Sequence, residues 1–426
     1  MPSNLQPEIR NLKTRRVVII GGGVIGAACA YYLRQIGCGV TIVEKGAFGR
    51  GCSHGNCGFV CPSHVLPHAG PGAIGNILRA MMQPDSPLTV RPRFDLQLFR
   101  WLWGFARRCN EKAMLEAGAA IQALLQSSRT LYDDLLQKPG FDVEWQARGM
   151  LFVFLTQAAH EHYAATDQLM RDRFQVGAVR YDGSALNEFE PALKEGLAGG
   201  WHYDCDAHLR PDKLMFAFRD HLLARGVVIH EQCEFRNFTS TGRVVQSLET
   251  STGNIPTDAV VIAAGAWTPL LHQALGIRVP VQPGKGYSLT MPRPARCPAT
   301  PLIFEEHRVA ITPMQSGYRI GSTMEFAGYD DTMNRSRLDL LRKGARHYLL
   351  EPEAEPVQEE WWGWRPMIYD GKPVIGPTPN QDNVWIAAGH GMLGLSMAPA
   401  TGRLVSEMIS GATPHVDPAP FAVTRF

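Results

Sequence analysis

Three glycines and one acidic residue near the start of the chain have the types and spacing of a dinucleotide-binding site. Gly21, Gly23 and Gly26 form the pattern GxGxxG, and Glu44 follows 18 residues after Gly26. In this pattern the first glycine allows a tight turn, the second lets backbone N–H groups approach a pyrophosphate, and the third permits close packing of a helix on a strand. The acid is placed to accept hydrogen bonds from a ribose. The neighbouring positions that we predict to contribute are Val24, Ile25 and Lys45.

The elements around these residues are the ones that such a site needs. The run VVII at 17–20 is short, apolar and β-branched, which predicts a buried strand, and the segment 27–37 predicts a helix that ends at Gly37. GVTIVEK at 39–45 predicts a second strand that ends in the acid. The order strand, turn, helix, strand, acid is more specific than GxGxxG alone, but it does not separate NAD from FAD.

Two later segments favour FAD, because its adenine and flavin halves reach different parts of a protein. GRGCSHGNCGFV at 49–60 is rich in Gly, Ser and Asn, which suits a loop against a phosphate chain or a flavin ring. VVIAAGAWTPLL at 260–271 predicts a strand, a turn and a helix start, and so a second approach to the same ligand. The residues that we predict to bind the cofactor here are Ser53, Asn56, Gly58, Ala264, Gly265 and Trp267.

A strand and a helix near the C-terminus are predicted to face the same ligand. VWIAAGHG at 384–391 predicts a strand that ends in glycine, and the segment 391–409 predicts a helix that begins beside the ligand. The dipole of that helix favours negative charge at its N-terminus. The predicted cofactor contacts in this region are Gly389, Gly391, Met392, Leu393 and Gly394.

Together these segments resemble the FAD-dependent D-amino-acid dehydrogenase family, within the glycine oxidase/D-amino-acid oxidase superfamily. SHGNCG matches the S-x-x-N-x-G flavin loop of that family, and four further characteristic segments match in order. These segments are KGYSLT (285–290), WGWRP (362–366), DGKPVIGP (370–377) and AAGHGMLG (387–394). The resemblance implies non-covalent FAD, because the histidine that carries flavin in some relatives would stand at Gly55.

The resemblance also implies the fold. We expect an α/β protein with a Rossmann-like FAD-binding domain, interleaved with an α+β substrate domain built on an antiparallel sheet. The alternating patterns at 308–314 and 318–324 agree with antiparallel strands. The predicted segments are 14–90, 145–275 and 355–420 for the FAD-binding domain, and 91–144 and 276–354 for the substrate-binding domain.

The activity implied by the resemblance is oxidation of a D-amino acid at its α-carbon, by hydride transfer to flavin N5. The product is an imino acid, which gives a 2-oxo acid and ammonia. Arg365 is predicted to bind the substrate carboxylate, since a guanidinium can form two parallel hydrogen bonds with it. A structural ion pair with Asp370 or Glu359 is the alternative. The other predicted catalytic residues are Tyr287, His390 and His54, each with a structural alternative.

The sequence leaves several functional alternatives open. One is a D-proline or cis-4-hydroxy-D-proline dehydrogenase, because YDCDAHLRPDKL at 203–214 departs from the segment expected of alanine-type enzymes. Another secondary amine, such as sarcosine, is a related alternative. A non-catalytic FAD-binding subunit that needs a partner chain is the alternative of a different class. Both quinone and oxygen remain open as the electron acceptor.

The sequence argues against binding to nucleic acid and against a membrane-crossing segment, but contact with a membrane surface stays open. Lys and Arg number 42 against 40 Asp and Glu, which predicts no basic face for nucleic acid. No apolar run is long enough to cross a membrane, and the N-terminus lacks the core of a secretion signal. We therefore expect a cytoplasmic protein. The amphipathic stretch LQLFRWLWGFARR at 96–108 either packs on its own domain or contacts the inner face of the membrane.

The nine cysteines predict neither disulfides nor a metal site. Cys52, Cys57 and Cys61 lie close together in the chain, with His54 and His64 beside them. However, there is no CxxC pair and no second cysteine cluster to complete a tetrahedral set. We therefore expect reduced cysteines and no bound metal.

Overall fold

The computed structural model describes residues 15–81, 86–91 and 93–426. The strands are β1 (Arg16–Ile20), β2 (Gly39–Val43), β3 (Phe59–Val60), β4 (Leu88–Val90), β5 (Met150–Phe154), β6 (Val179–Asp182), β7 (Gly199–Tyr203), β8 (Ala207–His208), β9 (Val228–His230), β10 (Phe235–Thr241), β11 (Val244–Thr250), β12 (Gly253–Pro256), β13 (Ala259–Ile262), β14 (Val281–Met291), β15 (Leu302–Phe304), β16 (Val309–Met314), β17 (Gly317–Phe326), β18 (Glu359–Ile368), β19 (Val374–Pro377) and β20 (Val384–Ala388). The α-helices are α1 (Val24–Gln35), α2 (Ala73–Met81), α3 (Leu96–Ala106), α4 (Glu111–Leu136), α5 (Gln157–Phe174), α6 (Ser184–Phe189), α7 (Pro211–Ala224), α8 (His272–Leu275), α9 (Arg335–Tyr348) and α10 (Gly394–Ser410). Short 3-10 helices cover Gly265–Leu271, Ala419–Phe421 and Val423–Arg425.

A six-stranded sheet carries the glycine-rich turn. Its order is β19-β20-β13-β1-β2-β9, and every neighbouring pair is parallel except β19 with β20. Helices α1 and α10 pack closely together, and a Cβ atom on Gly402 would lie 2.6 Å from the carbonyl oxygen of Ala28. The apolar β-branched residues of β1 are buried because the sheet is covered by other elements on both faces.

A nine-stranded sheet forms the second layer of the protein. Its order is β18-β14-β17-β16-β15-β5-β7-β6, with β4 beside β17, and all pairs are antiparallel except β5 with β15 and β4 with β17. Helix α9 covers one face, where Leu341 and Tyr348 are buried in the same cluster as Tyr287 and Leu289. Strands β10-β11-β12 form a separate antiparallel sheet, and β3 pairs with β8 in a two-stranded ribbon.

The expected fold class is confirmed, with one parallel sheet of the dinucleotide-binding type and one largely antiparallel sheet. Sheet membership nevertheless cuts across the predicted domain boundaries. Strands β5, β6, β7 and β18 lie within segments predicted for the FAD-binding domain, yet they belong to the nine-stranded sheet. Helix α4, predicted for the other domain, packs on α10, where Tyr132 donates a hydrogen bond of 2.8 Å to the carbonyl of Leu395. The division into domains therefore stays a prediction.

Helix α3 carries apolar residues both on the side that packs on the protein and on the side that faces solvent. Leu98, Trp101 and Phe105 point inward and are buried, as their spacing along a helix allows. Phe99 and Trp103 lie on the outer side and are exposed. None of the helices within the described ranges combines the length and apolar character that a membrane crossing needs.

Candidate functional site

A cleft of about 450 Å³ opens at the carboxyl ends of the parallel strands β1, β13 and β20. Ligands of open α/β sheets bind in this position. Many of the residues predicted from the sequence line it. These are Gly21, Gly23, Val24, Ile25, Glu44, Lys45, Ser53, Asn56, Ala264, Gly265, Trp267, Arg365, His390, Gly391, Met392 and Gly394.

The glycine turn has the geometry that its sequence predicts. Gly21 has φ +113°, and a Cβ atom there would lie 2.3 Å from the carbonyl oxygen of Ala263. Gly26 does not line the cleft, and a Cβ atom on it would lie 1.9 Å from the carbonyl oxygen of Gly21. Gly26 therefore acts by letting α1 approach β1, while Gly23 begins that helix beside the cleft.

The carboxylate of Glu44 holds the turns on both sides of it. Its Oε2 accepts a hydrogen bond of 2.7 Å from Gly22 N, and its Oε1 accepts one of 2.8 Å from Gly46 N. Each carboxylate oxygen keeps a lone pair for a further donor, such as a ribose hydroxyl. Lys45 pairs with Glu234 at 3.1 Å at the exposed rim of the cleft.

The serine- and asparagine-rich loop docks onto the start of α1. Ser53 Oγ accepts a hydrogen bond of 3.0 Å from Val24 N. Asn56 Oδ1 accepts one of 2.7 Å from Gly58 N, which closes the loop. Gly58 itself does not line the cleft, and its φ of +80° and its approach to the carbonyl oxygen of Leu209 give it a backbone role.

The N-terminus of α10 also faces the cleft. Gly391, Met392 and Gly394 line it, whereas Gly389 and Leu393 do not. The 17-residue helix places the positive end of its dipole at this wall. Such an end attracts negative charge on a bound ligand.

Arg365 lies in the cleft wall on β18. Its Nη1 donates a hydrogen bond of 2.7 Å to the carbonyl of Thr323, and its Nη2 lies 3.5 Å from the carbonyl of Ser322. Burial lowers the pKa of Arg365 from its usual value, and the neighbouring thiols of Cys52 and Cys57 oppose that shift. A guanidinium remains charged at neutral pH even so.

The two structural partners considered for Arg365 are bound elsewhere. Asp370 pairs with Arg425 at 2.8 Å, and Glu359 pairs with His54 at 2.7 Å. Across the described ranges, Arg365 has no carboxylate within salt-bridge distance. The guanidinium is therefore a cation in a cleft without an anion of its own.

Tyr287 is not brought into the cleft. On β14, Gly284 pairs with Arg365 and Tyr287 pairs with Trp362, so Tyr287 lies on the opposite face of the sheet from Arg365. Its hydroxyl donates a hydrogen bond of 2.5 Å to Glu325 Oε2, within the cluster beneath α9. Burial and this bond raise the pKa of Tyr287 well above its usual value.

The two predicted histidines differ in their surroundings. His54 is buried outside the cleft lining, with its Nε2 2.7 Å from Glu359 Oε1 and 3.0 Å from Arg50 Nη1. His390 does line the cleft, and its Nε2 lies 3.0 Å from Thr401 Oγ1. Burial lowers the pKa of His390 to about 3, so its ring is neutral at neutral pH.

Sequence reasoning missed several residues that line the cleft. Trp364 packs edge-on against Trp267 with ring centroids 5.3 Å apart, and its buried Nε1 has no acceptor among the described residues. Its place next to Arg365 in WGWRP was the available signal. Cys233 and Phe235 come from the β9–β10 region, where the sequence holds no signal of a site.

Comparisons with known proteins agree with these observations. A model of the family described as FAD dependent oxidoreductase (DAO) matches residues 16–408. The chain is 33% identical over 421 residues to a D-amino acid dehydrogenase of Granulibacter bethesdensis, covering 96% of this chain and 99% of that one. It is 34% identical over 414 residues to one of Methylobacterium nodulans, covering 94% and 96%. The resemblance inferred from the sequence is thereby confirmed.

Solved structures show the same fold. Glycine oxidase from Geobacillus kaustophilus superposes with a TM-score of 0.78 at 24% identity, covering 97% of this chain and 100% of that one. L-proline dehydrogenase from P. horikoshii superposes with a TM-score of 0.72 at 20% identity, covering 97% and 98%.

The residues of the cleft fit FAD. The backbone at Gly21 leaves no room for a side chain, which keeps the turn tight, and Gly23 lines the cleft, so that backbone N–H groups there can approach a pyrophosphate. Glu44 has acceptor capacity for a ribose, the N-terminus of α10 favours an electron-rich ring, and Trp364 Nε1 is a donor in need of an acceptor. Ser53 holds the intervening loop against α1, and Asn56 closes that loop through its bond to Gly58 N.

Proposed function

Because the chain belongs to the DAO family of FAD-dependent oxidoreductases, we propose that it oxidises a D-amino acid at its α-carbon. The near full-length relatives named D-amino acid dehydrogenase support this substrate class. The observation that carries the proposal is Arg365, whose guanidinium lies in the cofactor cleft with backbone carbonyls as its hydrogen-bond partners.

Arg365 binds the substrate carboxylate and so positions the α-carbon. Its buried surroundings strengthen this attraction, because the cleft has a lower effective dielectric than water. The carbonyls of Ser322 and Thr323 hold one side of the guanidinium, which limits the directions in which the remaining N–H groups point. Bound FAD supplies the oxidation by accepting hydride from the substrate.

Two tryptophans and a histidine determine how much water and how much charge the cleft contains. Trp364 and Trp267 present apolar rings that exclude water from the wall beside Arg365. His390 stays neutral, so it adds no positive charge to the helix end and the cationic side chains of Arg365, Lys45 and Arg50 that line the cleft. The substrate amine must lose its proton before hydride leaves, and water then hydrolyses the imino acid to a 2-oxo acid and ammonia.

The test is the visible spectrum of the purified, FAD-loaded protein under anaerobic conditions. D-Alanine, L-alanine, cis-4-hydroxy-D-proline and sarcosine are added in separate cuvettes. We expect the yellow colour to be lost with D-alanine and kept with L-alanine. Loss of colour only with cis-4-hydroxy-D-proline or sarcosine would move the assignment to a secondary amine. A flavin that stays oxidised with all four would favour a subunit that needs a partner chain.

We also propose that the enzyme contacts the membrane surface and passes electrons to quinone there. Helices α2 and α3 pack in one cluster, and their outer sides carry exposed apolar residues. Leu78, Leu96 and Trp103 are 58%, 76% and 68% exposed. Arg100 on α3 and Arg107 directly after its end are also exposed, so the surface combines apolar and basic groups as interfacial helices do.

Co-sedimentation with lipid vesicles tests the membrane contact. We expect binding to vesicles that contain anionic lipid, and weaker binding to neutral ones. Phe99→Asp should reduce binding strongly, since Phe99 is 56% exposed within the surface. Phe216→Asp is the matched control, because Phe216 is 58% exposed on α7. Equal binding of both variants and the unmodified protein would contradict the proposal. Reduction of a soluble quinone, compared with oxygen uptake, tests the acceptor separately.

A further inference from the structure

A cluster of metal-binding side chains lies outside the cofactor cleft. One ligand atom each from Cys61, His64 and Asp206 lies within 4.8 Å of the other two. For three atoms spaced in this way, a point exists that is at most about 2.8 Å from each of them. Zinc bonds to sulfur, nitrogen and oxygen are about 2.0–2.3 Å long. Shifts of well under 1 Å would therefore bring all three atoms to bonding distance.

The fold brings these residues together from distant parts of the chain. Cys61 and His64 follow strand β3, whereas Asp206 directly precedes strand β8. The two strands pair antiparallel, with Val60 opposite Ala207. The end of β3 and the beginning of β8 therefore lie side by side, and the sequence alone could not show that Asp206 completes the cysteine-rich segment.

The carboxylate of Asp206 is buried without a cation. Asp206 has no exposed surface, and its carboxylate accepts hydrogen bonds from Ser63 N at 3.0 Å, Ser63 Oγ at 2.5 Å and Cys205 Sγ at 3.6 Å. Within the described ranges, no Lys or Arg side chain lies at salt-bridge distance from it. Buried carboxylates are usually paired or coordinate a metal.

Contrary to the expectation from the sequence that no metal is bound, we propose that Cys61, His64 and Asp206 bind a zinc ion. The sulfur, nitrogen and oxygen donors form a mixed set that suits zinc, which is a borderline-soft cation. Cys205 Sγ lies 3.6 Å from Asp206 Oδ1, but it does not belong to the group of ligand atoms that are all close to one another. The three ligands lie outside the cofactor cleft and come from two segments of the chain, so the ion has a structural role, with a water as its fourth ligand.

Ser63 orients two of the ligands. Its hydroxyl lies 2.5 Å from Asp206 Oδ2 and 3.2 Å from His64 Nδ1. Contacts of this kind fix the ligand side chains before the metal arrives. The bound ion joins the segment after the flavin loop to the segment before β8. Strands β3 and β8, which pair next to the ion, are only two residues long each, so the ion adds a link where the strand pairing is short.

The experiment measures zinc in the FAD-loaded, full-length protein. The protein is stripped with a chelator, dialysed against zinc, and analysed for metal per chain and for affinity by competition with a chromophoric chelator. We expect one zinc per chain. Changes outside the first ligands already cost about 10–100-fold in metal affinity, so Asp206→Asn and Cys61→Ser should each weaken binding by about 100-fold or more. Cys109→Ser is the control and should keep the zinc, because Cys109 lies just after α3 and does not belong to the ligand group.

Cobalt substitution provides a second measurement if a variant folds poorly. Cobalt in the unmodified protein should show thiolate-to-metal charge-transfer absorption, and Cys61→Ser should weaken it while Cys109→Ser leaves it unchanged. Absence of zinc from the unmodified protein would overturn the proposal. So would zinc that binds equally to the Asp206→Asn variant, because the metal would then lie elsewhere. Neither result depends on amino acid oxidation.

Discussion

Arg365 lies directly against Gly286 on the neighbouring strand, where a Cβ atom would come within 2.2 Å of the guanidinium carbon. Because Gly286 has no side chain, the guanidinium packs directly on the backbone of β14. Since Gly286 pairs with Gly363 on β18, both strands lack side chains at this point. The absence of these side chains lets a long, charged residue lie along the sheet and face the cleft.

Removing the guanidinium should weaken substrate binding. Arg365→Ala is expected to raise KM for the D-amino acid by about 150-fold, which corresponds to roughly 3 kcal/mol of lost charged hydrogen bonding. Arg365→Lys should have a smaller effect, because it keeps the charge but not the paired hydrogen bonds. Steady-state kinetics check this. Arg243→Ala is the control, since Arg243 forms an exposed ion pair with Asp382. An unchanged KM in Arg365→Ala would contradict the assignment.

A side chain at Gly21 should prevent cofactor retention. Gly21→Ala places a Cβ atom 2.3 Å from the carbonyl oxygen of Ala263, at a φ of +113° that alanine rarely adopts. The flavin-to-protein absorbance ratio of the purified variant is expected to fall to a small fraction of the normal value. Gly75→Ala, where nothing lies within 4 Å of the added atom, should keep a normal ratio. Normal flavin content in Gly21→Ala would show that the turn can move aside.

The hydroxyl of Tyr287 should matter for stability and not for substrate binding. Tyr287→Phe removes the hydrogen bond to the buried carboxylate of Glu325 and should lower the free energy of unfolding by about 1.5–3 kcal/mol. KM should stay within about twofold, because the ring lies on the opposite face of β14 from Arg365. Thermal unfolding and kinetics on the same preparation separate the two effects. A large rise in KM with unchanged stability would place the hydroxyl in the substrate site.

The neutral ring of His390 should make the protein less stable in acid. Burial lowers its folded-state pKa to about 3 from 6.5, so below pH 6.5 the unfolded chain gains a proton that the folded protein does not. Stability is therefore complete above pH 6.5 and is lost as the pH falls toward 3, by about 2 kcal/mol at pH 5.

His390→Gln tests this dependence. Glutamine can still bond to Thr401 but does not titrate, so the loss of stability between pH 7 and pH 5 should be smaller in the variant. Chemical denaturation at the two pH values measures the difference. The same pH dependence in both proteins would assign the acid sensitivity to other buried groups.

Local chemistry explains why the cofactor site could be predicted. The turn at Gly21, the packing role of Gly26 and the acid at Glu44 follow from backbone geometry within one strand-turn-helix-strand unit. The place of Arg365 in the cleft could be expected because an arginine between tryptophans and a proline, in a matching family segment, is unusual, whereas its role in substrate binding stays a prediction.

Long-range pairing explains what could not be predicted. The strand containing Tyr287 is recognisable in the sequence, but the face that its side chain occupies depends on register with β18 and on which face α9 covers. The partners of Asp206 lie 143 residues away at Ser63. Nothing local indicates that such segments meet.

The order of the strands along the chain limits how the two large sheets could be exchanged between proteins. The path leaves the six-stranded sheet after β2, returns at β9, leaves again at β14 and returns at β19, so it passes between the sheets four times. No single cut in the chain separates the six-stranded sheet from the nine-stranded sheet. An end-to-end fusion at one point of the chain therefore cannot replace one of the two sheets as a whole, because each sheet is built from separate segments.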